Sequence, residues 1–477
     1  MSGSPVFDID ASTITDQSGA DGGEDDNAND HADATTGADA GKTDPGADAT
    51  TRPPPLPPLD GGKPPVLDGG IVLPDGGGND AGVMMPPAPC GGKVHCVGAG
   101  QSIQTAVNAA GDGDTLQVAA GTFSGDIAIL GKGLVLLGGF NATFTMRDVS
   151  AFESRIQGTG TQSAVRIAAD GKSNRLDGFT ITGGTGNPAS GYSGAGVNVQ
   201  NGNVVVAYNR IIANRVPAAN IDMTDTRGGG IVANGYGTTT AVILGNLIED
   251  NVSGRGAGIA SSGVTTLVIE GNVIRNNRGY SDHGGGLFIN SPNATIRANR
   301  VEGNEIGPAQ NPYGWGGGIF LNEVGTMAYL SYNIVTKNKA VSDGSGIFIN
   351  NGAHASLDHE LIYANVCPEG VGAAILAEAT DPTTPSIITI TDSTVADHPC
   401  HTINDGNGIT LGSPGCRADV TRSIFWNNGP NQFLHARGAE IPPTLIDSFT
   451  GDPLFVDPAN HDYHLKPGSP AAGRGRY

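Results

Sequence analysis

Residues 284–304 read GGGLFINSPNATIRANRVEGN, and residues 316–338 read GGGIFLNEVGTMAYLSYNIVTKN. Both open on a Gly-x-Gly followed by an aliphatic residue, pass through short runs of alternating polarity, and close on Asn-x-aliphatic-x-x-Asn. The same opening recurs as GAGV from Gly194, GGGI from Gly228, GAGI from Gly256, GSGI from Gly344, GAAI from Gly372 and GNGI from Gly406. Successive openings are 34, 28, 28, 32, 28, 28 and 34 residues apart. A base period of 28 with small insertions is the mark of a solenoid, in which each repeat buries its apolar face only against its neighbours.

The closing landmark recurs as well: NRIIAN at Asn209, NLIEDN at Asn246, NVIRNN at Asn272, NRVEGN at Asn299 and NIVTKN at Asn333, then the degraded ELIYAN at Glu360, STVADH at Ser393 and SIFWNN at Ser423. Runs such as GIFLN, AYLSY and NIV are of strand length, and the Gly and Asn between them are turn chemistry. Three strands per repeat are expected, stacking coil on coil as three parallel sheets, with Asn side chains laddering in the turns.

This pattern resembles the right-handed parallel β-helix family, which includes pectate lyases and many secreted repeat proteins. The resemblance covers roughly residues 98–447 and implies an all-β solenoid. QSIQTAVNAA, from Gln101, is expected to form a short amphipathic helix with Ile103, Ala106, Val107 and Ala110 on one face, covering the open end of the first coil. Residues 448–477 resemble the closing segment of secreted β-helix proteins, with Phe455, Tyr463 and Leu465 plugging the last coil.

The remainder of the chain is of another kind. Residues 1–97 hold 16 acidic and 4 basic residues, 13 of the chain's 30 prolines and a single aromatic, Phe7. Too little apolar surface is available there to offset the entropy of ordering, so this part is expected to be a disordered linker. No basic n-region or apolar h-region is visible in MSGSPVFDID. A long acidic, Pro-rich spacer ahead of a folded domain suggests the stalk of a bacterial surface lipoprotein, lipid-anchored through an N-terminal signal missing from this sequence. An extracellular or cell-surface location is therefore expected.

The formal net charge of −21 argues against nucleic acid or an anionic membrane as a partner. No run of apolar residues is long enough to span a bilayer, and a monomer is expected. Five cysteines cannot all pair internally. Cys90 and Cys96 sit close together before the first coil, and the repeat register places Cys367 and Cys400 at stacked positions about 4.8 Å apart. Two disulfides, Cys90–Cys96 and Cys367–Cys400, are expected, leaving Cys416 unpaired and implying an oxidising compartment.

In a β-helix the residue before each Gly-x-Gly lies at the turn leading into one sheet. That column reads Ser193, Arg227, Arg255, His283, Trp315, Asp343, Val371 and Asp405. The five from Arg227 to Asp343 are all able to interact with a ligand. The preceding turns add Tyr192, Asp222, Asp225, Tyr280, Asp282 and Tyr313. Four residues into the repeats, Phe288, Phe320 and Phe348 stack in register, forming either an outward apolar platform of the kind sugars stack on or part of a core.

Three functions follow. The first is a polysaccharide or cell-surface glycan binder using Arg255, Tyr280, Tyr313, Trp315, Asp343 and the three Phe rings, without catalysis. The second is a carbohydrate-active enzyme in the same groove: a polysaccharide lyase, with Arg227 and Arg255 neutralising charge and His283 or Tyr280 as base, or a glycoside hydrolase, with Asp282 and Asp343 as its two carboxylates. The third is a protein-binding adhesin or structural spacer. Neither the GHG and RIK segments of polygalacturonases nor the WIDH-like segments of pectate lyases are present. No cofactor is expected, and calcium enters only as a possible bridge to an acidic glycan.

Overall fold

The computed structural model describes residues 87–476 apart from 187, 189–192, 218–225, 308–312, 367–371, 399–405, 430 and 436–441. Among these the strands form three long parallel sheets of 11, 13 and 11 strands. One rung shows how the repeat is spent. Leu287–Asn290 follows the Gly-x-Gly and lies in the first sheet, Ala294–Arg297 in the second, and Arg300–Glu302, within the closing landmark, in the third. Alternation points Leu287, Ile289, Ala294, Ile296 and Val301 inward, where all are fully buried in one continuous core. The central rungs stack in register; Ala260, Phe288, Phe320, Phe348 and Leu376 are successive partners.

Both ends of the closing landmark are ladder positions. Its first residue forms one column, in which the side-chain amide of Asn209 donates to Asn246, Asn246 to Asn272, Asn272 to Asn299, Asn299 to Asn333 and Asn333 to Glu360, at 2.9–3.1 Å. Its last residue forms a second column through Asn214, Asn251, Asn277, Asn304, Asn338 and Asn365, each 3.0 Å from the next. Each Asn also satisfies backbone groups that a turn inside a coil would otherwise leave unpaired. Asn277, for instance, donates to the Ile248 carbonyl at 2.9 Å and accepts from the Asn251 amide at 3.1 Å. The expected ladder is present.

The Gly-x-Gly has two separate causes. Gly284 has φ +71°, a conformation that disfavours other residues. At Gly286 the limit is space: a Cβ there would lie 2.5 Å from the Gly318 carbonyl oxygen of the next rung. Gly286→Ala must therefore push two rungs apart. It is expected to cost about 2 kcal/mol, measurable as a lowered melting temperature by circular dichroism.

At the entrance, Ile103–Ala109 is helical, capped by Ser102, with Ile103 and Val107 buried against the first rungs. The solenoid begins earlier than residue 98. Val94–Val97 already pairs in parallel with Thr115–Val118, and Cys90–Cys96 is disulfide-bonded with a Cα separation of 5.6 Å. Cys416 is a buried free thiol, and Cys367 and Cys400 lie outside the described residues.

Two further features depart from the expectation. A fourth, four-stranded sheet forms from two-residue strands that follow the second Asn ladder: Val252–Ser253, Arg278–Gly279, Glu305–Ile306 and Lys339–Ala340. At the other end, Phe455 and Tyr463 do not plug the last coil. Their hairpin, Phe455–Asp457 with Asp462–Leu465, packs with Leu465 against Tyr363, Ala396 and Ile424 on the outer flank of the third sheet. The strands of that flank carry apolar residues outward as well as inward, which leaves a second surface to cover. Arg476 completes the flank, 2.8 Å from the Asn333 carbonyl and 3.0 Å from that of His359.

Candidate functional site

The turn column is real and held by its backbone. Arg227 pairs with Arg255, His283 with Trp315, and Trp315 with Asp343 as parallel bridges between rungs. The glycine after each donates to the next rung; Gly256 N to His283 O is 3.1 Å and Gly284 N to Trp315 O is 2.9 Å. The side chains are thus mounted at strand spacing, about 4.8 Å per rung, on a frame that does not need to reorganise.

Most of the charge is internally committed. Arg255 grips Asp282 bidentately, Nε to Oδ1 at 2.6 Å and Nη2 to Oδ2 at 2.8 Å. Ser281 Oγ donates to the same Oδ1 at 3.0 Å. His283 Nδ1 lies 2.8 Å from that oxygen, within ion-pair range but off the line that a hydrogen bond needs. Burial alone would raise the Asp282 carboxyl pKa; the His283 and Arg255 contacts overcome it and hold the group well below the usual carboxylate range. A carboxylate so held stays ionised at any working pH. It is suited to fixing Arg255 and His283 in place, not to donating the proton a glycosidase acid must supply.

The aromatic groups divide into a buried and an exposed set. Phe288, Phe320 and Phe348 point out of the coil, as the inward direction of Ile319 and Leu321 requires, yet they are 3%, 0% and 2% exposed. They form a small core of their own with Val232, Ala260 and Leu376. This corrects the platform expectation: the turn column folds over the rings and roofs them. The His283 ring is 4.4 Å from that of Phe320, the Arg227 guanidinium is 5.5 Å from the centre of Phe288, and Trp315 packs against the cluster. The rings therefore support the column and cannot contact a ligand themselves.

The exposed set stands above this roof. Tyr313 is 59% exposed and stacks on Trp315 with centroids 5.8 Å apart. Trp315 Nε1 donates to Asp343 Oδ2 at 3.2 Å, which fixes the indole plane. Tyr280 is half-buried, with the Arg278 guanidinium 5.4 Å from its ring centre. Tyr192, Asp222, Asp225, Val371 and Asp405 lie outside the described residues.

Among the described residues one trio, Asp358, His359 and Asp392, brings possible metal-ligand atoms within 4.8 Å of one another. Arg422 already pairs bidentately with Asp392, at 2.8 and 2.5 Å, so a guanidinium supplies the positive charge there. The column Arg215, Val252, Arg278, Glu305, Lys339 and Val366, which lines the fourth sheet, was missed in the sequence although each member directly follows the second Asn of its landmark.

Residues 219–385 match the family model described as a right-handed β-helix region. Among solved structures, the chain is similar to the periplasmic alginate epimerase AlgG at 12% identity and a TM-score of 0.39, over 71% of this chain and 77% of that one. No curated protein matches the sequence. The described residues include no helix long and apolar enough to cross a membrane, and the Cys90–Cys96 bond suggests an extracytoplasmic location.

Proposed function

We propose that this protein binds polysaccharide along the turn column, without catalysis, at the bacterial cell surface or outside the cell. Residues 1–89 then serve as the linker from a lipid anchor, and the solenoid that begins at Val94 as the binding part. The observation that carries this reading is the stacked pair Tyr313 and Trp315. Two aromatic faces are held on hydrogen-bonded rungs, one of them largely exposed, with Tyr280 in the turn before His283. Such surfaces take the apolar faces of sugar rings at little entropic cost. The locked state of Asp282 supports binding over hydrolysis, because the candidate catalytic carboxylate is occupied by Arg255.

A glycan-array screen of the full chain tests this, with ultraviolet monitoring for unsaturated uronides on every acidic polysaccharide retained. Trp315→Ala and Tyr313→Ala are each expected to weaken retention roughly tenfold. Arg422→Ala, on another face, should leave it unchanged. Equal behaviour of the three variants would remove the column as the site. An ultraviolet-absorbing product would make the protein a lyase, and retention of a protein ligand but of no glycan would make it an adhesin.

A further inference from the structure

Beside the aromatic pair, the fourth sheet presents a column whose charges have their own period. Parallel register places Val252 opposite Arg278, Arg278 opposite Glu305 and Glu305 opposite Lys339, with Arg215 bridged to Val252 and Lys339 to Val366 at the two ends. The cations Arg215, Arg278 and Lys339 therefore occupy alternate rungs, about 10 Å apart. Arg278 and Lys339 share one carboxylate: Glu305 Oε2 is 3.2 Å from Arg278 Nη2, and Glu305 Oε1 is 2.9 Å from Lys339 Nζ. Both cations remain close to half exposed, at 45% and 44%. Arg215 is exposed and has no ion pair among the described residues.

The acids on the neighbouring turn do not cancel this surplus. Glu249 is taken by Arg275 at 2.6 Å, and Glu302 by Arg300 at 2.6 Å and Lys337 at 3.5 Å. Asp250, whose pKa is raised by burial and then by Glu249, is the remaining one. A protein that is acidic overall thus carries a locally basic comb, adjoining Tyr280 through Arg278.

We propose that this comb is a subsite for an acidic polysaccharide bearing one anionic group on every second sugar. An extended glycan turns the same edge to a surface once per disaccharide, a length comparable to two rungs. Its anions would then meet Arg215, Arg278 and Lys339 while the intervening neutral sugars pass over the rungs of Glu305 and of Val252, whose side chain is buried. A polymer charged on every sugar would turn its alternate anions to the opposite edge, where the comb offers them no cation, and would carry their mutual repulsion without compensation. A neutral glycan would leave the cations unused. This rests on the glycan-binding reading and narrows it to a charge pattern.

The test titrates the full chain with three probes at low and physiological salt: hyaluronan oligosaccharides, with one carboxylate per disaccharide; oligogalacturonate, with one per sugar; and neutral cellohexaose. Hyaluronan is expected to bind about tenfold more tightly than either at low salt and to lose most of that margin as salt rises. Arg278→Gln and Lys339→Gln should each weaken hyaluronan binding about 2- to 5-fold, and Lys339→Gln, which does not touch Tyr280, should leave cellohexaose unchanged. Arg278→Lys should retain the affinity. Glu305→Gln frees Arg278 and Lys339 and should strengthen the binding of both anionic probes while leaving cellohexaose unchanged; a comb that serves only as a structural ion ladder would show no gain.

Hyaluronan binding no better than that of cellohexaose, or charge variants that bind like the parent, would overturn the comb. Loss of all probes in Trp315→Ala would in that case leave the aromatic site standing. Failure of the parent to retain any probe would remove both.

Discussion

Asn277→Ala is expected to lower the stability of the solenoid by about 3–5 kcal/mol, more than any single exposed substitution on the same rung. Asn277 is fully buried, and its amide is fully used. It donates to the Ile248 carbonyl at 2.9 Å and to Asn304 Oδ1 at 3.0 Å, and accepts from the Asn251 backbone at 3.1 Å and the Asn251 amide at 3.0 Å. Truncation takes a partner from Ile248 and Asn251 on one flanking rung and from Asn304 on the other, and opens a cavity the rigid rungs cannot close. A solenoid transmits the damage only to its neighbours, so the loss should appear as a broadened or split transition as well as an earlier one. Thermal and urea melts followed by circular dichroism measure this, with exposed Thr266→Ala as the control. A shift no larger than that of Thr266→Ala would mean that water replaces the ladder without penalty.

The ladder was legible in the sequence because one residue type recurs at one register, and both Asn of each landmark do so. The first and third sheets were legible for the same reason, being tied to the Gly-x-Gly and to the aliphatic residue between the two Asn. What lies outside the coil was harder. Alternation says that Phe288, Phe320 and Phe348 face away from Ile319 and Leu321, but not whether solvent or protein meets them there. Their cover comes from His283, Arg227 and Trp315 in the turns, whose direction depends on contacts between rungs and not on local pattern. Phe455 and Tyr463 were misplaced at the end of the coil for the same reason, since their docking surface is set by outward residues of distant repeats such as Tyr363 and Ile424. The comb of Arg215, Arg278 and Lys339 was in principle readable, because each residue directly follows a ladder Asn. Its alternation with Val252 and Glu305 hides it from any search for a run of like charge.

The two titratable residues that stand where a ladder elsewhere has Asn predict an unusual dependence on pH. Glu360 continues the first column fully buried, accepting from the Asn333 backbone and amide at 3.1 and 2.9 Å through Oε1, while Oε2 has no partner. Burial outweighs those hydrogen bonds and raises its pKa from 4.5 to about 7. Below pH 4.5 the group is protonated whether the chain is folded or not. As the pH rises from 4.5 to 7 the unfolded chain releases the proton and the folded one retains it, so stability falls by about 3 kcal/mol and then levels off. His398 continues the second column with the opposite sign. Its Nε2 is 3.2 Å from the Asn365 amide and its Nδ1 2.8 Å from Asn428 Oδ1, which together require the neutral ring with the proton on Nδ1. Burial lowers its pKa from 6.5 to about 4, so stability is complete above 6.5 and is lost, again by about 3 kcal/mol, as the pH falls to 4. Between pH 4.5 and 6.5 the two slopes oppose and nearly cancel in the parent protein. Glu360→Gln should expose the histidine slope alone: about 2 kcal/mol more stable than the parent at pH 8, after allowance for the lost attraction to Arg476, and equal to it at pH 4. His398→Asn, which restores the ladder residue, should gain at pH 4 and not at pH 8. Urea melts of the three proteins at pH 4, 6 and 8 decide it, and parallel pH profiles for parent and variants would show that neither buried group changes its proton occupancy on folding.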